Sequence, residues 1–321
     1  MDDSMCAQKP ALAIIVCTFK RPDLLRATLK SIAAQQSMVC AERVQVYVVD
    51  NSDEGDARGI VAEQAATSPW PMTWLEAHPA NISVARNAGV KAGQEEFVAF
   101  VDDDQILHPG WLDAVARLFS HKEGDAWLGC VHGVFETPER TTPAIRSLFG
   151  RELQEPFGYE LFAFGSGKLP SVNPATNNSI FRRAALDSDA PFDPAYGKGG
   201  GEDYDLFCRL QRRGKRLFWA PDVVVSEFVP ASRCDRGYLR RRFFAGGQVF
   251  AAAIAGSASR PGLARWLIRL KALVQGALLL AGGPKACFAG EARRADYLFR
   301  WAGVLGKLSF GEIYPLYQPK K

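Results

Sequence analysis

Apolar residues in the first hundred positions alternate between unbroken runs and stretches with a three-to-four-residue beat. Leu12-Ala13-Ile14-Ile15-Val16-Cys17 is apolar throughout, as expected of a strand covered on both faces. Past Thr18-Phe19-Lys20-Arg21-Pro22, the recurrence of Leu24, Leu25, Leu29 and Ile32 predicts a helix over about 22–36. A strand follows from Val44 to Val49, then a helix around 56–66 and a short strand at 72–75. Asn81 to Ala92 has helical spacing, with Asn81 or Ser83 available as N-cap. It leads into a buried strand, Phe97-Val98-Ala99-Phe100-Val101. Strand and helix alternating in this way predict an α/β fold on a mostly parallel sheet with right-handed crossovers. Ligands of such sheets gather beyond the carboxyl ends of the strands. This chain places Cys17-Thr18, Asp50-Asn51 and Asp102-Asp103-Asp104 there.

If the backbone stays extended through the acidic triplet, Asp102 and Asp104 share a face and Asp103 points away. Two converging carboxylates repel, and one keeps its proton unless a cation lies between them. An all-oxygen site suits Mg²⁺ or Mn²⁺. Taken alone, the triplet is also an ordinary acidic loop before a helix that starts at His108-Pro109-Gly110-Trp111. The convergence of three polar strand ends on one edge is what favours a site.

Beyond the triplet the rhythm changes. A helix over 109–119 and a strand over 126–135 precede a Pro- and Gly-rich stretch, 137–176, with little periodicity. An unpatterned run of that length in a compact domain is usually functional or mobile. Order resumes at Asn177-Asn178-Ser179-Ile180-Phe181-Arg182 as a short strand. Gly197-Lys198-Gly199-Gly200-Gly201 then opens a helix that begins Glu202-Asp203-Tyr204-Asp205-Leu206 and is stopped by Gly214. Early acids suit a helix N-terminus electrically, and they also suit a pair of working carboxylates. The last strand is expected at Val223-Val224-Val225, with Glu227 and Arg233 just beyond it.

The net charge of +4 conceals an asymmetry. Residues 236–321 carry 15 Lys and Arg against Glu291, Asp296 and Glu312, a net of +12, which leaves −8 for residues 1–235. That split divides the chain into a main domain over 1–235, with halves of about 11–104 and 105–235, and a basic helical region over 236–321. The basic region calls for an anionic partner. In 263–278, Leu263, Trp266, Leu267, Leu270, Val274 and Ala277 share one helical face, and Arg265 and Arg269 stand four apart on another. The pattern fits a helix lying on an anionic membrane surface and fits packing against the rest of the chain. The longest uncharged runs there, 243–259 and 272–284, fall short of the roughly 18 residues of a spanning helix.

Seven scattered cysteines without a C-x-x-C pair argue for a reducing compartment. The acidic opening Met1-Asp2-Asp3-Ser4 has no secretory character. The expected location is cytoplasmic, either free or peripheral on the inner face of the plasma membrane. The histidines at 78, 108, 121 and 132 have no metal-ligand spacing. No G-K-[ST] follows Gly201, and no G-x-G-x-x-G follows the first strand, which argues against a P-loop and a dinucleotide oxidoreductase. Nothing points to nucleic acid.

Five segments, in order, carry a resemblance: Ile14 to Pro22, Val48-Val49-Asp50-Asn51-Ser52, Ala85-Arg86-Asn87-Ala88-Gly89, Phe100 to Asp104, and Gly201 to Leu206 with Arg209-Leu210 and Gly214. Across roughly residues 11–230 the chain resembles the inverting family 2 glycosyltransferases of GT-A fold, whose sheet is Rossmann-like. The wording around Val101-Asp102-Asp103-Asp104 and Asn177–Arg183 looks most like the bacterial exopolysaccharide, succinoglycan-type, branch.

The resemblance implies that Thr18, Phe19, Arg21, Asp50 and Asn51 hold the uracil and ribose of a UDP-sugar. Arg86 would meet the diphosphate or the donor sugar, a guanidinium fork being well shaped for phosphate. Asp102 and Asp103 would contact the nucleotide-sugar, and Asp104, with Asp102, would bind the divalent ion. Glu227 lies where many relatives have a metal-binding histidine, and a carboxylate is an oxygen substitute for it. Of Glu202 and Asp203, Asp203 is the implied general base, taking the proton of an attacking acceptor hydroxyl, and Asn178 would touch the acceptor. The implied acceptor is a lipid-linked saccharide. Two departures stand out. The Q-x-x-R-W element of processive synthases is missing, since Gly262 precedes Arg265-Trp266 and Tyr297 precedes Arg300-Trp301, which implies that one sugar is added and released. Cys17 and Lys20 stand where the family often has proline and asparagine. The competing readings are a nucleotide-sugar-binding scaffold without catalysis and a Mg²⁺-dependent phosphohydrolase. The latter lacks its nucleophile setting, because Gln105-Ile106 follows Asp104.

Overall fold

The computed structural model describes residues 11–316 apart from 38, 40, 166–173, 288 and 289. In the first half β1 (Leu12–Thr18), α1 (Pro22–Ala33), β2 (Val44–Asp50), α2 (Ala57–Ala65), β3 (Met72–Glu76), α3 (Ile82–Ala92) and β4 (Phe97–Asp102) follow the expected alternation. Then come β5 (Gln105–Leu107), α4 (Trp111–Leu118), β6 (Ala126–Phe135), α5 (Pro143–Phe149), β7 (Glu160–Leu161), β8 (Ser179–Arg182), α6 (Arg183–Leu186), α7 (Glu202–Arg212) and β9 (Leu217–Val229). Three helices close the described chain: α8 (Arg236–Gly256), α9 (Pro261–Cys287) and α10 (Glu291–Leu308).

Among the described residues nine strands form one sheet in the order β3-β2-β1-β4-β8-β6-β9-β5, with β7 also on β9. The β3-β2-β1-β4 block is parallel, β8 runs antiparallel between β4 and β6, and β6 and β9 are parallel. Every residue of β1 is buried, and successive side chains supply opposite faces. Leu12, Ile14 and Val16 join a core with α1, α2 and α4, whereas Ile15 and Cys17 join one with α3, α7 and α8. Asn81 caps α3 by accepting the Ser83 amide. Gly89 lets α3 approach β1 closely, for a Cβ there would lie 2.5 Å from the Ile15 side chain.

Three expectations need correction. The acidic triplet does not continue the strand: β4 ends at Asp102, and Asp103-Asp104 turn the chain into β5, which pattern reading missed because it is only three residues long. Glu227 lies within β9, not after it, because that strand extends from Leu217 to Val229. Pro221-Asp222 reads as a break in the sequence, but is absorbed by a register shift. Gly129 pairs with Ala220 and Cys130 with Val224, so Pro221, Asp222 and Val223 are extra residues on β9. A proline is tolerated where ladder bonding lapses.

The third concerns 137–176, which is not featureless. Thr142 caps α5 by accepting the Ile145 amide. Arg151, 4% exposed, donates to the carbonyls of Gly129, Ala175, Asn177 and Asn178. It bridges to Val131 and ties the segment to β6. Residues 166–173 lie outside the described set.

Asp235 caps α8 by accepting the Gly237 and Tyr238 amides. Val249 and Ala253 of α8 pack into the core shared with α7. Among the described residues no helix is long and apolar enough to cross a membrane.

Candidate active site

Register brings the carboxyl ends together. Thr18 pairs with Asp50 across β1 and β2, and Cys17 pairs with Asp102 across β1 and β4. The antiparallel β5–β9 pair then sets Gln105 opposite Glu227. As a result Asp102, Asp104 and Glu227 each present an oxygen within 4.8 Å of the other two. Asp102 and Asp104 converge as expected, although a turn and not strand alternation achieves it. Asp103 turns the other way, accepting from Thr18 Oγ1 at 2.8 Å and Arg21 Nη1 at 3.0 Å.

Asp104 and Glu227 are nearly buried. Burial, then the charges of Glu227 and Asp102, pushes the Asp104 carboxyl up to about 8. Burial and then Asp102 raise Glu227 likewise. Neighbouring donors offset part of this. Gln105 Nε2 and Asn177 Nδ2 donate to Glu227 at 3.1 and 2.7 Å. Arg21 Nη1 lies 3.1 Å from Asp104, and Arg233 Nη1 lies 3.6 Å from Asp104 and 3.7 Å from Glu227. Three crowded acids that all offer oxygen form a donor set that fits a hard divalent cation. Sequence reading noted Arg233 only in passing. Its role comes from the short 3₁₀ turn over Ala231–Cys234, which folds back onto the cluster after β9.

A second group of charges faces the first across Arg86. That guanidinium, 6% exposed, donates through Nη1 to Glu202, and its Nη2 lies 3.6 Å from Asp102. Burial opposes its charge, but Glu202 and Asp102 raise its affinity for the proton. Glu202 also accepts the Gly201 amide at 2.9 Å, so both its oxygens are engaged. The half-buried Asp203 accepts the Tyr204 amide at 2.6 Å. Burial and then the Glu202 charge push its carboxyl up to about 6. The glycine run sets this geometry. Gly201 has φ of +132°, and a Cβ there would meet Val249 of α8 at 2.3 Å. Asp205 is only a helix acid, paired with Arg209 four residues on.

The other expected contacts divide. Thr18 is buried on the site side, and Phe19 is 39% exposed next to it. Asp50, 1% exposed, accepts from the Ser52 amide and hydroxyl and the Ala57 amide. Its carboxylate therefore orders the turn into α2, where an open strand-end acid was expected. Asn51 likewise donates to Ala77 and Pro79 carbonyls and accepts the Asn81 amide. Asn178 faces no acceptor space. It is fully buried, donates to the carbonyls of Cys130 and Val223 at the register shift, and accepts from Trp111 Nε1 at 2.8 Å. Of the polar pair, it is Asn177 that reaches the acidic cluster.

A family profile described as "Glycosyltransferase like family 2" matches residues 10–244. The succinoglycan biosynthesis protein ExoM of Rhizobium meliloti is 32% identical over 305 residues, 93% of each chain. An N-acetylglucosaminyltransferase of Bradyrhizobium diazoefficiens is 29% identical over 73% of this chain and 47% of its own length. Among solved structures, the mannosyltransferase PcManGT of Pyrobaculum calidifontis, in complex with GDP-Man and Mn²⁺, superposes with a TM-score of 0.60. It shares 19% identity, over 94% of this chain and 87% of that one. Staphylococcus aureus TarS with UDP-GlcNAc gives a TM-score of 0.56 at 18% identity, over 79% and 69%. The fold is GT-A.

Proposed function

The chain belongs to glycosyltransferase family 2, and from that premise we propose that it moves one sugar from a UDP-sugar to a hydroxyl of a lipid-linked saccharide, with inversion at the anomeric carbon. The observation that carries this reading is the bridge made by Arg86. One guanidinium couples the acidic cluster of Asp102 to Glu202, the neighbour of Asp203.

Asp102, Asp104 and Glu227 would hold Mg²⁺ or Mn²⁺, which when bound stabilises negative charge on the departing diphosphate. Thr18, Phe19, Arg21 and Asp103 line the donor side. Arg86 steadies diphosphate oxygens by a forked contact. Asp203 accepts the acceptor hydroxyl proton as that oxygen attacks the face opposite the nucleotide, a direct displacement by one base that inverts the centre. A carboxyl held near pH 6 by burial suits that duty at neutral pH. Similarity to a succinoglycan biosynthesis protein supports a polysaccharide acceptor. The missing Q-x-x-R-W element supports single addition.

The test is nucleoside diphosphate release from a panel of UDP-, GDP- and TDP-sugars, with and without Mn²⁺, in the presence of lipid-linked saccharide. The expected result is chelator-sensitive release from a UDP-sugar. Donor binding without release, with every acceptor offered, would favour a scaffold.

A further inference from the structure

The apolar stripe of α9 points away from the protein. Leu263, Trp266, Leu267, Leu270, Val274 and Leu278 recur at helical spacing and are 44–69% exposed. The packed face is the opposite one. Ile268 and Ala272 are buried, with Ile268 in a cluster with Ala251 and Ala255 of α8, and Gly276 faces Trp301 and Val304 of α10. An aliphatic surface this continuous is unusual on a soluble face, where apolar patches above a few hundred Å² mark interaction sites.

Cations border the stripe. At 100° per residue, exposed Lys271 falls on one edge and exposed Arg260 precedes the helix on that side, whereas Arg269 lies further round toward the packed face and donates to the Ser309 carbonyl. Arg269 stacks 3.6 Å beneath the ring of Phe310, itself 85% exposed, which widens the apolar border. An exposed stripe with Trp at its margin and positive charge along one edge has the form of a helix lying in a headgroup layer. A second copy of the chain is disfavoured, since the region of net +12 would meet itself. Crossing the bilayer is not available to this helix.

We propose that α9 seats the protein on an anionic phospholipid bilayer, its stripe entering the headgroup layer and Arg260 and Lys271 meeting lipid phosphates. The docking rests on this surface and not on the transfer reaction, so it is tested without donor or acceptor. The full chain is sedimented with phosphatidylcholine vesicles, with and without phosphatidylglycerol, over a salt series. Binding is expected to the anionic vesicles, to weaken as salt rises, and to fall at least about tenfold in a Leu270→Glu/Val274→Glu variant whose thermal unfolding matches the parent. Lys271→Glu lowers binding to anionic vesicles only. Brominated lipid quenches tryptophan emission in the parent and less in Trp266→Phe. No sedimentation with anionic vesicles at low salt overturns the proposal. So does a dimer of the parent chain that Leu270→Glu dissolves.

Discussion

Arg86 and Glu202 form a buried ion pair that fastens α3 to the N-terminus of α7. Removing one partner of such a pair leaves an uncompensated charge in a poorly solvated place. Glu202→Ala also orphans the Gly201 amide. The expected loss is about 3–5 kcal/mol of folding stability, measured by urea unfolding of the parent and variant. A loss under about 1 kcal/mol, as for an exposed pair, would show that Arg86 is satisfied without Glu202.

Asp203→Asn is expected to lower kcat by about 10²–10⁴-fold with little change in donor KM, as for loss of a general base. The pH profile provides a second readout. A base works deprotonated, and burial holds this carboxyl at about 6. The parent rate should therefore be level above that pH and fall about tenfold per unit below it. A profile flat to pH 5 would assign the base elsewhere.

Arg233 stands near Asp104 and Glu227 with a positive charge, the same sign as a divalent ion but half its magnitude. Like charges compete for the same carboxylates. Arg233→Met should tighten Mn²⁺ binding to the nucleotide-free chain about tenfold, read by electron paramagnetic resonance titration. Weaker Mn²⁺ binding in the variant would mean that Arg233 orders the cluster instead of standing in for the ion.

Asn178→Ala strands the Trp111 indole N–H and two carbonyls, of Cys130 and Val223. At about 1–3 kcal/mol for a buried unsatisfied group, the variant should lose about 3 kcal/mol while acceptor KM stays unchanged. A raised KM with normal stability would return Asn178 to the acceptor site.

The strands and helices of the first half were legible because each is announced by an uninterrupted apolar run or a clear helical beat, as in Leu12–Cys17 and Leu24–Ile32. The carboxylates at the strand ends were legible by type and place. What the pattern could not carry was the direction of side chains once the backbone left regular structure. Asp50 and Asn51 look identical in sequence to open strand-end ligands, yet local amides and carbonyls claim them. Arg151 gave no signal, being one of several cations in an unpatterned stretch, and its burial depends on four carbonyls from other segments. For α9 the periodicity was right, but which face would be covered depends on small residues, Ala272 and Gly276, that a hydrophobic stripe conceals.

The three surplus residues of β9 act as a spacer between the two stretches over which it pairs with β6. Closing that kink by deleting Pro221–Val223 would slide Glu227 along its neighbour by about 10 Å. Its partner Gln105 would then face a different side chain. The length of one irregular segment thus calibrates where β9 delivers its carboxylate to the two acids at the end of β4. Transplanting loops between such enzymes should succeed only when that calibration travels with them.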